Sequence, residues 1–222
     1  MSRITDYAFL FQKSFGTSGV NAIGSFQLSQ LNSSSVQAQL KAAGINTNSK
    51  QYKSAVKQMM SAGNGAMYGN IQGIKNLMSH YDKDGDYINP VNGLAGLLVT
   101  DDNENSRRRI ISIPDSSKEE MYELTKKEFL RENGVCNGDT TKRTDVYNNL
   151  YRKMSKKYRL AAGYTLEKYE RIYRQAFYDA AKKADPNWEI GKPIKEGALD
   201  NVTRESIEAK KSLAQSTVDT KI

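Results

Sequence analysis

Thr165-Leu166-Glu167-Lys168-Tyr169-Glu170-Arg171-Ile172-Tyr173-Arg174-Gln175-Ala176-Phe177-Tyr178-Asp179-Ala180 is the stretch that decides the fold. Its apolar residues Leu166, Tyr169, Ile172, Tyr173, Ala176, Phe177 and Ala180 recur three and four positions apart. On a helix of 3.6 residues per turn that spacing lays them along one broad face. Thr165 reads as the N-cap, and Pro186 lies just past the far end, where a residue without an N–H cannot continue the helix.

Working outward, the same period returns. Ser117 with Glu120 reads as a capping box before Met121, Leu124, Phe129 and Leu130, in a helix that ends near Asn133-Gly134. Another starts around Thr144-Asp145 and carries Val146, Leu150 and Met154. Upstream, Ser34-Ser35 caps a helix to Ala43 closed by Gly44, and Asn48 or Ser49 caps one bearing Tyr52, Val56 and Met59-Met60. A third runs from about Ala66 to Tyr81 on Met67, Ile71, Ile74, Leu77 and Met78, and Ile4 to Phe15 also has helical spacing. Only 97–113 reads otherwise: two apolar runs around the polar turn Asp101 to Ser106, stopped by Pro114, predict a β-hairpin. The expected fold is mainly α, a helical domain over 36–199 with an acidic loop at 82–92 and one small β-hairpin at 97–113 near the middle. Residues 1–35 are expected to form an N-terminal helix and a mobile Ser/Gly/Asn-rich arm, and 200–222 a polar C-terminal tail, docked or frayed.

Composition removes several chemistries. The 222 residues contain one cysteine, Cys136, and one histidine, His80. No intrachain disulfide and no ordinary Cys/His zinc site can be assembled from them. Cys136 sits in the turn-like Asn133-Gly134-Val135-Cys136-Asn137-Gly138, and His80 closes a helical pattern, so neither reads as catalytic. No P-loop, dinucleotide fingerprint or nucleophile elbow is present. No apolar run approaches the roughly 18 residues of a membrane helix. Met1 to Phe15 lacks a signal-peptide arrangement, so a cytoplasmic protein is expected, with signal-less export left open. The formal net charge is +8, and residues 106 onward carry 25 Lys+Arg against 18 Asp+Glu. That field favours anionic or protein partners, nucleic acid and acidic lipid among them.

Two motifs carry chemistry. Asp82-Lys83-Asp84-Gly85-Asp86 places aspartates at alternate positions after a helix, the spacing of the first ligands in an EF-hand-type calcium loop. If one residue is deleted, Ile88 takes the hydrophobic position and Asn92 the closing one, where a carboxylate is wanted. The candidate Ca2+ ligands are therefore Asp82, Asp84, Asp86, Ile88 and Asn92, without the usual glycine after the third aspartate. The same residues also suit a metal-free Asp turn, and both readings stand. The second motif interleaves tyrosines and cations between Tyr147 and Lys183, with Arg107-Arg108-Arg109 as a denser patch upstream. Cations for phosphates and rings for unpaired bases would suit nucleic acid. Tyr169 and Tyr173 fall on the apolar stripe and are expected in the core.

The chain resembles an uncharacterised family of bacterial proteins from Gram-positive genomes, of unknown function. The stretches that carry the resemblance are Leu40 to Tyr52, Tyr81 to Pro90, Gly138 to Arg143 and Arg174 to Ala180. It implies an intact single-chain fold and no particular activity. The leading expectation is a non-enzymatic binding or structural protein, with a weak cation site in the Asp82–Asp86 loop as an added feature. The alternatives are a nucleic-acid-binding accessory protein using the basic aromatic helices and a carboxylate-dependent hydrolase.

Overall fold

The computed structural model describes residues 25–62, 68–101, 103–136 and 140–210, so the helix expected over Ile4 to Phe15 lies outside it. The chain divides into two compact units, Met1–Leu98 and Val99–Ile222, and the division falls inside the stretch read as one domain, 36–199. Both units are built mainly of helices.

In the first unit, β1 (Phe26–Gln27) pairs antiparallel with β2 (Tyr68–Gly69), Phe26 opposite Gly69. Three short helices follow from their caps: α1 (Ser34–Ala42), α2 (Lys50–Ala62) and α3 (Ile71–Met78). The Ser33 hydroxyl accepts the Val36 amide at 3.3 Å, Ser49 Oγ that of Tyr52 at 3.1 Å, and Asn70 Oδ1 that of Gly73 at 2.7 Å. Each cap satisfies an amide that the first turn leaves without an intrahelical acceptor. Leu28, Leu40, Met59, Ile74 and Leu77 form the core. The arm expected through residue 35 belongs to the fold from residue 25 on: Phe26, Leu28 and Leu31 are buried. Their burial outweighs the polar residues around them, which suggested a loop. The third helix is shorter than expected, because Asn70 caps it and 68–69 are extended.

In the second unit, α4 (Asp115–Arg131), α5 (Thr140–Lys153) and α6 (Arg159–Ala184) follow a segment of turns. Helix α6 packs against both α4 and α5 around Met121, Leu150, Leu166, Tyr173 and Phe177. The hairpin expected over 97–113 is not formed there. Asn103 Oδ1 accepts the Thr100 amide at 2.9 Å, while the Glu104 and Arg107 amides turn back onto the carbonyls of Thr100 and Asn103. Those helical-type turns consume the amides a ladder would need. Ile111 N–H goes instead to Thr165 Oγ1 at 3.1 Å. The small β component lies elsewhere, in β1–β2 and in two single-residue bridges, Tyr81–Tyr87 and Ile88–Ala95.

Two residues read as caps lie inside helices. Helix α6 begins at Arg159, and Thr165 turns its hydroxyl onto the Ala161 carbonyl at 2.8 Å. Helix α4 begins right after Pro114, and Ser117 is fully buried. Trp188, the one tryptophan of the chain, closes the far end of this core. It is 2% exposed, gives its indole N–H to the Lys192 carbonyl at 2.8 Å, and meets the rings of Phe129 and Tyr178 at 6.0 and 5.7 Å. The tail is docked through residue 210: 204–210 are helical, Ile207 is buried, Arg204 meets Glu119 at 2.7 Å, and Tyr173 donates to Glu208 at 2.8 Å.

Candidate anion-binding cleft

The acidic loop is organised by one of its own side chains. Asp82 Oδ1 accepts the amides of Asp84 at 3.0 Å and Asp86 at 2.9 Å, and the Asp82 carbonyl accepts that of Gly85 at 2.9 Å. Gly85 holds φ at +85°, the left-handed conformation that only glycine adopts without strain. It also presses against α2: a Cβ there would lie 2.7 Å from Ser54 Oγ and 3.0 Å from the Lys50 carbonyl. Gln51 completes the attachment with hydrogen bonds to the Met78 and Tyr81 carbonyls at 3.0 and 2.8 Å. The glycine missing after Asp86 is thus replaced by one before it.

The later ligands have other occupations. Ile88 gives its amide to the His80 carbonyl at 2.8 Å, and Asn92 Oδ1 accepts the Leu94 amide at 3.0 Å. Among the described residues no three of His, Cys, Asp and Glu gather closely enough to hold a metal ion. The hydrogen bonds to Asp82 make the loop a self-bonded turn; a calcium site would need six to eight convergent oxygens around one point.

In the second unit most buried charge is spent internally. Arg143 meets Glu128 at 2.5 Å and Glu170 at 3.2 Å, and Arg174 meets Glu170 at 2.6 Å. Glu128 and Glu170, 2% and 7% exposed, are the buried carboxylates a hydrolase would call on, and both face arginine. Tyr173 is fully buried, as its place on the stripe predicts.

Part of the polar surface that the core leaves over lines a cleft. A cavity of 680 Å³ is walled by Tyr147 and Tyr151 of α5, by Gly163, Tyr164, Glu167 and Arg171 of α6, and by Arg107 and Arg108 of the turn segment. Counting Glu104, which pairs with Arg107, three arginines meet two glutamates, and the excess positive charge at the wall is that of Arg108. Glu104 meets Arg107 at 2.7 Å and Glu167 meets Arg171 at 2.5 Å. Arg108 is exposed, and no ion pair to a described residue engages it. Burial raises the Tyr151 hydroxyl pKa, and burial with the nearby Glu170 raises that of Tyr147. Both stay protonated donors at neutral pH. Sequence reading found the residue types and missed the grouping, because Arg107 and Tyr164 lie far apart in the chain. The arginine run 107–109 and the interleaved tyrosines and cations from Tyr147 to Lys183, Tyr164 and Arg171 among them, were its signals.

With the geometry in hand, comparison with known families gives one match: the profile of DUF3879, a domain of unknown function, covers residues 45–222, and the chain belongs to that family. No curated protein and no solved structure matches it. Among the described residues no helix is long and apolar enough to cross a membrane.

Proposed function

We propose that this DUF3879 protein is a non-enzymatic binding protein that captures an anionic ligand in the cleft of its second unit. The observation that carries the reading is the convergence of Arg107, Arg108 and Arg171 with Tyr147, Tyr151 and Tyr164 from three separate stretches of chain. Guanidinium groups bind phosphate and carboxylate oxygens in paired, charge-assisted hydrogen bonds, and two of these three already meet glutamates. A hydrolase built on carboxylates wants two of them facing one space. Glu167 stands alone in this wall, and Glu128 and Glu170 are neutralised by Arg143. A cytoplasmic setting belongs to the same reading, since a lone buried thiol fits a reducing compartment.

Isothermal titration of the whole chain with inorganic tripolyphosphate at low salt tests this. Saturable binding is expected, weakened by added salt and by about tenfold in Arg108→Glu. Absence of saturable binding, or equal binding by that variant, would sink the reading.

A further inference from the structure

The lining of the cleft is more selective than its charge. A bare anion is satisfied by cations, and rings add nothing to its binding. Here three tyrosines share the wall with three arginines. Tyr147 and Tyr151 are one turn apart on α5, their rings 6.1 Å between centroids and tilted by 42°. The third ring, Tyr164, comes from α6.

This arrangement depends on a missing side chain. A Cβ on Gly163 would lie 2.5 Å from the Tyr151 hydroxyl and 3.0 Å from its ring. Glycine at this helical position is what lets the hydroxyl end of Tyr151 approach the α6 backbone this closely. Glycine in a helix interior weakens the helix relative to alanine, so the position favours the cleft wall over helix strength.

The polar groups are of mixed kind. The tyrosine hydroxyls donate, the guanidiniums donate, and the Glu167 carboxylate accepts. A fully ionised oxyanion has no proton to offer the acceptor. A base or a sugar bears N–H or O–H groups that offer one. The volume, 680 Å³, lies within the range of sites for small organic ligands, about 300–1,000 Å³. Near the same wall the pairing of cation with ring recurs: Lys168 lies over Tyr164 at 5.0 Å, and Lys157 over the exposed Tyr158 at 4.6 Å.

We propose that the cleft binds a nucleotide unit, its phosphate on Arg107 and Arg108, its base against the tyrosine rings, and a base or sugar N–H or O–H on Glu167. This rests on the anion-binding reading above and names its ligand. A free nucleotide and an unpaired nucleotide of a single strand offer the same chemistry, and they are told apart by experiment.

The test titrates the whole chain with a nucleoside monophosphate, inorganic phosphate, inorganic tripolyphosphate, and a short oligonucleotide in single-stranded and duplex form. The nucleotide is expected to bind on the order of tenfold more tightly than inorganic phosphate. Tyr164→Ala is expected to erase that advantage and Tyr164→Phe to keep it, since stacking needs the ring and not the hydroxyl. Circular dichroism checks that both variants are folded. If the single strand binds far better than the monophosphate, the strand is the source; if the two bind alike, a free nucleotide suffices. A nucleotide no better than inorganic phosphate, with Tyr164→Ala unchanged, overturns this inference, and tripolyphosphate binding then leaves the anion reading standing. Preference for the duplex also overturns it, because paired bases cannot stack on a side chain. Binding of no probe ends both.

Discussion

Gly134 holds φ at +82°, and its α-carbon faces the indole of Trp188, where a Cβ would sit 2.8 Å from the ring edge. Gly134→Ala therefore meets two costs, a left-handed backbone and an overfilled core. Together they are expected to destabilise the second unit by roughly 2–4 kcal/mol, read as a lower urea midpoint. Two residues away, burial pushes the Cys136 thiol pKa up, with Arg174 opposing and Glu128 and Glu132 adding to it. A thiol with a raised pKa holds little thiolate at neutral pH, so iodoacetamide is expected to label the folded protein far more slowly than the urea-unfolded chain. Equal rates would refute that burial. At this scale the sequence is read least well. Ser117 and Thr165 are residue types that cap helices, yet both sit inside them, because Pro114 and the run Arg159 to Ala162 start those helices earlier. A hydroxyl that bonds the carbonyl four residues back, as Thr165 does, looks the same in sequence as one that caps.

At the scale of elements, the acidic loop and the docked tail give the clearest expectations. If Asp82 organises the loop through its carboxylate, Asp82→Ala is expected to cost about 1–3 kcal/mol, and Asp82→Asn less, since an amide oxygen still accepts. Cation binding by the loop is read from the melting temperature: a rise with millimolar calcium that is lost in Asp84→Ala supports a Ca2+ site, and no shift in either protein counts against it. Acid is expected to weaken the start of α4, where Asp115 also meets Arg204 of the tail at 3.7 Å. A hydrogen bond from Lys118 and its charge, with help from Arg204, hold the Asp115 carboxyl below the usual carboxylate range. A depressed pKa means that the folded state releases this proton more readily than the unfolded one. The contribution is present above the ordinary aspartate range, near 3.9, and is lost as pH falls through the folded value. Asp115→Asn is expected to lower the melting temperature at neutral pH and to converge with the native chain in acid. The helical elements were legible because period and caps agree, as at Ser49 and Gly44. The hairpin was misread because Ile110, Ile111 and Ile113 carry β propensity while Asn103 draws the preceding backbone into turns. Only the side-chain hydrogen bond decides between the two.

For the whole molecule, net charge is a poor guide to function. Residues 99–222 carry 25 Lys+Arg and 21 Asp+Glu, a net of +4, and residues 1–98 carry 8 and 4, also a net of +4. The excess seen beyond residue 106 depends on where the line is drawn, since Asp101, Asp102 and Glu104 lie just before it. Function in such a molecule follows from which cations the fold leaves unspent. Sequence names the arginines, and only packing tells Arg143, half-buried against two carboxylates, from Arg108, exposed at a cleft. The compactness of the second unit leads to a further expectation: residues 99–222 expressed alone are expected to retain helical circular dichroism and the ligand affinity of the whole chain. Loss of either would show that the first unit is needed to maintain it.

Trp188 also gives the molecule a built-in optical label. Indole emission can come only from this residue, and it lies in the unit that holds the cleft. A blue-shifted spectrum that moves to the red during denaturation therefore follows the second unit alone. Far-ultraviolet ellipticity follows the helices of both, so the two signals recorded on one unmodified sample separate the melting of one unit from that of the other.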